Sequence, residues 1–408
     1  MSNRVINPNE ILIPQKYLGM GLYVGVIITM MTVQWMALDM YLPALPVLKT
    51  EFGTTEALLN VSLNSELVMC AIGTLIGGTL SDKYGRNPIM IIGLIVAAVS
   101  LLAAAFANGV MLLIVGRGMC GLGGGFALTV AAAIIRDSFK GRTFRNITAI
   151  TQAAAVVGPI FAPAIGAFLI EFLSWRWIFI LLGGATAITL IPFLFATETW
   201  PKARRRVTDV WQATVQSFEL VRNIDYIIFV IYIMILTIPM WAYLAVCAYI
   251  YYEDFGVSNI QYSILYASAT VAAFVAPFIY IWLSRKTSDR HTLEIVMGMM
   301  ALSVILLALV GARGPVFFLI SIVPIVMIEA MARSMCMVVV LEEYPEEAGS
   351  ASSVTGFALL IVGAAGTSIA TLQWSSLMFG LTVITAGSLI ITLALWIVIV
   401  KKKIYNIC

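Results

Sequence analysis

The chain has 408 residues, 61% of them hydrophobic and only 11% charged, with a mean hydropathy of +0.99 and a net charge of +3. Soluble domains carry about 25% charged residues, so a single soluble domain is excluded and an all-α membrane protein with many spans is expected. The cysteines (Cys70, Cys120, Cys247, Cys336, Cys408) show no CxxC or Cys/His spacing and the single histidine, His291, falls in a polar loop, so neither a disulfide framework nor a metal site is implied.

The first 17 residues are polar. The apolar run after them is too long for a signal h-region, so no cleaved signal peptide is expected. Apolar runs then lie near 18–44, 57–80, 88–107, 109–135, 146–170 and 175–196, and after a polar break near 226–252, 260–284, 293–311, 315–341, 350–373 and 375–400. A helix needs about 20 residues to cross a bilayer. Leu, Ile, Val, Ala, Gly and Met dominate all of these runs, so twelve helices rather than barrel strands are predicted.

Within the first run, Asp39 interrupts the apolar sequence just before Pro43 and Pro46. An acid at membrane depth costs roughly 2.5–3.5 kcal/mol on insertion scales and faces a partner or a wet cavity. The two prolines end or kink the helix beyond it.

Lys and Arg set the orientation. With both termini cytoplasmic, nineteen of the 24 basic residues fall inside, from Arg4, Lys16, Lys83 and Arg86 through Arg136, Lys140, Arg142 and Arg145 to Lys202, Arg204, Arg205, Arg206 and Arg222. Arg285, Lys286, Arg290 and Lys401–Lys403 complete the set. Lys49, Arg176 and Arg313 fall outside, and Arg117 and Arg333 lie within spans. The acidic loop with Glu342, Glu343, Glu346 and Glu347 does not overturn this, because acids contribute little to the rule.

The polar segment Thr197–Asn223 divides the chain. The halves are an N-terminal six-helix bundle, 1–196, and a C-terminal six-helix bundle, 226–408, joined by a cytoplasmic linker, 197–225. Basic links at matching places, Ser81-Asp82-Lys83-Tyr84-Gly85-Arg86 and Ser284-Arg285-Lys286-Thr287-Ser288-Asp289-Arg290, are consistent with a duplicated unit of the kind found in two-lobed transporters.

Gly78-Thr79-Leu80-Ser81-Asp82-Lys83-Tyr84-Gly85-Arg86-Asn87-Pro88 resembles the GxLaDrxGrkp loop of the major facilitator superfamily, with Asn87 departing from the usual basic residue. The resemblance implies a conformational latch at Asp82 and Arg86, with Gly78 and Gly85 giving close contact and a tight reversal. Arg117-Gly118-Met119-Cys120-Gly121 resembles the RxxqG motif, with Cys120 at the Gln position. That arginine is tied to proton transfer in proton-coupled members, and a purely structural buried pair is the other reading. Gly158-Pro159-Ile160-Phe161-Ala162-Pro163-Ala164-Ile165-Gly166-Ala167 resembles the antiporter motif, with alanines at two glycine positions. Gly158 and Gly166 permit close helix approach, while Pro159 and Pro163 suit a bending gate; tight packing alone is the alternative.

Asp39-Met40-Tyr41-Leu42-Pro43-Ala44-Leu45-Pro46, Ile135-Arg136-Asp137-Ser138-Phe139 and Ala348-Gly349-Ser350-Ala351-Ser352-Ser353 look like the Bcr/CflA branch of drug:proton antiporters. The resemblance implies efflux of small amphipathic or cationic drugs against proton entry, by a monomer in the bacterial inner membrane. Neither a cofactor nor nucleic acid is implied, and no Walker loop is present. Two other readings stay open: a dedicated carrier of one metabolite, and a transporter-like sensor that moves nothing.

Asp39, Glu66 and Arg117 fall in the outer half of their spans, roughly 8–14 Å deep at 1.5 Å per residue, and form the expected proton-coupling set. Glu66 is either a site member or a structural partner of Arg117. Glu329 and Arg333, four apart on one helix face, form either a neutral bridge or part of a substrate cavity. Asp137 fits an inner gate better than a drug site. Gln34, Trp35, Tyr41, Asn64, Gln152, Trp241 and Tyr243 complete the expected substrate-binding set, and Tyr249, Tyr251 and Tyr252 an interfacial belt.

Overall fold

The structure is a computed structural model that describes residues 6–205, 215, 222–284, 286–287, 289–343 and 348–402. Arg4, Arg206, Arg285, Glu346, Glu347, Lys403 and Cys408 lie outside the described residues, as do the side chains of Arg145, Gln152, Arg204, Glu342, Glu343, Ser350, Ser352 and Ser353. The helices are α1 (Met20–Asp39), α2 (Leu45–Glu51), α3 (Glu56–Tyr84), α4 (Arg86–Ala105), α5 (Val110–Ser138), α6 (Gly141–Phe172), α7 (Arg176–Leu194), α8 (Ile224–Tyr249), α9 (Asn259–Ser284), α10 (Asp289–Leu309), α11 (Pro315–Glu343), α12 (Ala348–Ala370) and α13 (Leu377–Lys402). Ten described helices are long and apolar enough to cross a bilayer, α1 being counted together with α2. Two shorter apolar helices, Gly158–Phe172 and Val354–Ala370, fall where spans five and eleven are expected, which fits a twelve-helix membrane fold.

Backbone groups in hydrocarbon must find partners within their own segment, so apolar runs become helices. The first run, expected to reach residue 44, ends its long helix at Asp39 and turns through Leu42–Ala44 before restarting as α2. Pro43 and Pro46 supply no N–H to continue the ladder. In α6, by contrast, Pro159 and Pro163 are carried inside a continuous helix. α8 passes into a π-helical turn, Ile250–Asp254.

Packing divides the chain into two compact units, Met1–Ala44 with Ser65–Gln216, and Leu45–Asn64 with Ser217–Cys408. Leu45–Asn64 therefore groups with the later helices, although its last residues are the first turns of α3. The first unit is built on Tyr23, Ile27, Met30, Leu94, Ile134 and Phe193. The second is built on Phe229, Tyr232, Met300, Met331, Met335 and Trp396.

The chain ahead of α1 is stitched to the first unit. The Glu10 carboxylate accepts from the Arg142 and Thr143 N–H groups at the start of α6, at 3.3 and 2.6 Å. Those donors have no partner within a helix, and an acid there also suits the helix dipole. Leu12 N–H donates to the Ser138 carbonyl at 2.8 Å. The Gln15 side chain accepts from Thr197 N–H at 2.7 Å.

Candidate functional site

α3 and α5 cross at glycines. A Cβ on Gly121 would run into the Glu66 carbonyl, and one on Gly125 would lie 2.5 Å from the Cys70 carbonyl. Small residues let two helix backbones touch, and here that contact sets the Glu66 side chain against α5. Glu66 and Arg117, 3% and 0% exposed, form an ion pair through Oε2 and Nη2. The Arg117 Nη1 donates to the Ala37 carbonyl at 2.7 Å, and its Cζ lies 4.4 Å from the centre of the Tyr41 ring. The Cys120 Sγ lies 3.9 Å from Glu66 Oε1. A buried pair of this kind has lost its hydration, so removing either partner strands the other charge.

Asp39 is half-buried at the last position of α1, two residues beyond Ala37. α6 presses on this end of α1. A Cβ on Gly166 would meet the Met40 carbonyl, and one on Gly158 would lie 2.8 Å from Thr32 Cγ2. The two motif glycines thus mark where α6 closes on the helix that carries Asp39.

Glu66 also borders a cavity of about 20 Å³ lined by Gln34, Trp35, Leu38, Cys70, Cys120, Gly121, Gly124 and Leu128. That is room for about one water. Gln34 and Trp35 line this cavity, whereas Tyr41 lies fully buried beneath Arg117. The side chain of Gln152 is not described.

The loop between α3 and α4 forms a second charged centre. Arg86 Nη1 reaches Asp82 Oδ1 at 2.5 Å and its Nε reaches Asp137 Oδ2 at 2.9 Å. Its Cζ stacks 4.6 Å from the Trp200 ring. Gly85 has φ +107°, and a Cβ there would also sit 2.5 Å from Glu198 Oε2. Glu198 accepts from the Arg86 and Asn87 N–H groups at 2.9 and 3.2 Å, capping α4. Trp200 Nε1 donates to the Asp82 carbonyl at 3.1 Å. Gly78 packs on α5, where a Cβ would lie 3.3 Å from Thr129 Cγ2.

In the second unit, Asn64 Nδ2 donates to Ser368 Oγ at 2.7 Å and its Oδ1 accepts from Thr367. Trp241 is half-buried against α12, where a Cβ on Gly363 would lie 2.8 Å from the indole. Arg333 and Glu329 approach at 3.8 Å, with the Arg333 side chain 45% exposed. The expected interfacial tyrosine belt is corrected: Tyr249 and Tyr251 are buried, Tyr252 is half-buried, and Tyr243 is buried with them. Tyr243 and Tyr251 pack on Phe318 at 6.0 and 5.2 Å, and Tyr251 and Tyr252 meet Tyr262 at 5.8 and 5.0 Å. These rings meet each other and Phe318 in edge-to-face and tilted contacts.

Glu198, Trp200, Glu10 and the Ala37 carbonyl were not expected from the sequence. Glu198 carries a usable signal, an acid directly after span six and just ahead of the basic run Lys202-Ala203-Arg204-Arg205-Arg206. The Ala37 carbonyl carries none, because backbone acceptors are present at every position.

Residues 27–367 match the family profile described as Major Facilitator Superfamily. YdgK, an MFS-type transporter of Bacillus subtilis (strain 168), is 27% identical over 80% of this chain and 82% of its own. The multidrug resistance protein MdtL of Shewanella sp. (strain ANA-3) is 25% identical over 90% and 94%. A bicyclomycin resistance protein homolog of Haemophilus influenzae is 26% identical over 80% and 83%. Among solved structures, the peptide transporter POT superposes with a TM-score of 0.74 at 14% identity, covering 97% of each chain.

Proposed function

The chain belongs to the major facilitator superfamily, a family of membrane transporters for small molecules, and we propose that it is a proton-driven exporter of small amphipathic or cationic compounds. The observation that carries this reading is the buried Glu66–Arg117 pair at the wall of the cavity lined by Gln34 and Trp35. The resistance functions in the names of MdtL and the bicyclomycin resistance homolog support drug efflux. The resemblance to Bcr/CflA-like drug:proton antiporters, drawn from Asp39–Pro46 and the motif loops, points the same way.

In this reading Glu66 and Asp39 are the proton carriers. A proton on Glu66 neutralises the acid, so Arg117 loses its charge partner while keeping the Ala37 carbonyl. A cationic compound competes with protons for the net negative charge of the Asp39, Glu66 and Arg117 set, which gives exchange without a second binding event. The inward proton supplies about 2.3 kcal/mol per 100 mV. No nucleotide or other cofactor takes part. The Asp82–Arg86–Asp137 cluster, capped by Glu198, is the inner latch that alternating access opens and closes. The protein works as a monomer in the bacterial inner membrane with both termini cytoplasmic.

The test is uptake of ethidium and tetraphenylphosphonium into inside-out vesicles, with and without an uncoupler. Uptake that collapses with the uncoupler supports the reading. Tight transport of a single metabolite in place of the cations would replace it.

A further inference from the structure

We infer that Tyr41 is a positioning residue: its ring holds the Arg117 guanidinium so that one edge meets Glu66 while the other caps the helix bearing Asp39. α1 ends at Asp39. The last carbonyls of a helix have no partner within it. The Ala37 carbonyl is one of these, and Arg117 takes it at 2.7 Å. Ala37 and Tyr41 stand on either side of Asp39, so one guanidinium grips the end of α1 and the turn just beyond it, before and after that acid.

The ring is suited to this work. Tyr41 is 0% exposed. It packs on Phe179 at 5.7 Å, which packs on Trp175 at 6.0 Å with the rings nearly perpendicular. A cation held over a desolvated aromatic face is attracted more strongly than at a surface, and it remains free to turn its N–H groups outward. The planar fork of Arg then presents Nη1 and Nη2 in different directions. Tyr41 fixes that plane without neutralising it. When Glu66 accepts a proton, its carboxylate becomes a neutral acid and Arg117 keeps its charge. The guanidinium stays on the ring and the Ala37 carbonyl, and its unbalanced charge bears on the segment that carries Asp39. Tyr41 thereby links the state of one acid to the setting of the other without touching the transported compound.

The holding of Arg117 by Tyr41 stands apart from the transport reading; the link between the two acids and the flux arm rest on that reading. The first arm is hydrogen exchange by mass spectrometry on the full-length protein in detergent, with no compound added. Tyr41→Leu and Tyr41→Met are expected to speed exchange across residues 37–44 by about tenfold, the loss of one cation–π contact. Tyr41→Phe keeps the ring and is expected to stay within about twofold of the parent. Two aliphatic variants guard against one failing to fold. Unchanged exchange in both would overturn the inference.

The second arm is gradient-driven ethidium and tetraphenylphosphonium flux in inside-out vesicles. The aliphatic variants are expected to lose about tenfold in Vmax with KM within about twofold, and Tyr41→Phe to restore Vmax. A raised KM with Vmax retained would make Tyr41 a wall of the binding site and overturn the inference. If the exchange result holds while the parent protein moves neither cation, the positioning role stands and the transport reading falls.

Discussion

Glu66 and Arg117 pair across the point where Gly121 lets α3 and α5 touch, so the ion pair and the helix crossing are one structure. Arg117→Ala strands a carboxylate that is 3% exposed and is expected to cost about 3–5 kcal/mol. The double variant Glu66→Gln with Arg117→Met removes both charges and should recover much of that loss. Thermal unfolding in detergent measures both. Equal destabilisation in the single and double variants would show that the charges are not coupled.

Glycines in one helical chain should behave in opposite ways. Gly121→Ala places a methyl group against the Glu66 carbonyl and is expected to cost about 1–3 kcal/mol, with lower gradient-driven flux. Gly184, in α7, has nothing within 4 Å of its Cβ position. Gly184→Ala should therefore be neutral, or stabilising by up to about 1 kcal/mol. Unfolding midpoints of the two variants, compared side by side, decide this.

Glu198 should matter through backbone donors. Glu198→Ala leaves the Arg86 and Asn87 N–H groups without their acceptor, at a cost of about 1–2 kcal/mol. Glu198→Gln keeps an acceptor oxygen and should lose less. Hydrogen exchange at the start of α4 reports the difference directly. A Gln variant as damaged as the Ala variant would mean that charge, not capping, is the larger effect.

Lys49 bridges Glu56 at 2.6 Å and Glu253 at 2.9 Å, with side chains 24–41% exposed. Such partly solvated pairs are worth about 0.2–1 kcal/mol and are screened by salt. Lys49→Gln should lower stability by no more than about 1 kcal/mol, and the difference should shrink as ionic strength rises. An effect several times larger, insensitive to salt, would mean that Lys49 acts through packing.

How much of this was legible beforehand follows from which forces are local. Helix existence was readable because hydrocarbon forces every apolar run to bond within itself. The Asp82–Arg86 contact was one of several partnerships open to Asp82, helix capping and a basic residue of another helix among them, and the structure takes it because the motif's four-residue spacing puts both groups at one reversal. The choice between structural partner and site member for Glu66 could not be made, since it depends on how closely α3 and α5 cross, and glycine content alone does not say which carbonyl a glycine faces. Tyr251 misled because aromatic residues near a span end suit an interface as well as a ring cluster. Phe318, more than sixty residues later, decides that one. The helix stop at Asp39 was foreshadowed by Pro43 and Pro46, but the carbonyl it freed for Arg117 carries no mark in the side-chain pattern.

The stitch between Gln15 and Thr197 has a consequence for biogenesis. It joins residues 182 apart in the chain. At about 5–20 residues per second on the ribosome, its second half emerges roughly 10–35 seconds after its first. The start of the protein must wait that long for its last partner in the first unit. Leu45–Asn64 waits longer still, because Lys49 meets Glu253 204 residues on and Asn64 meets Ser368 304 residues on. A stalled chain released near residue 200 should therefore hold a nearly finished first unit, with only Leu45–Asn64, that is α2 and the first turns of α3, still without its partners.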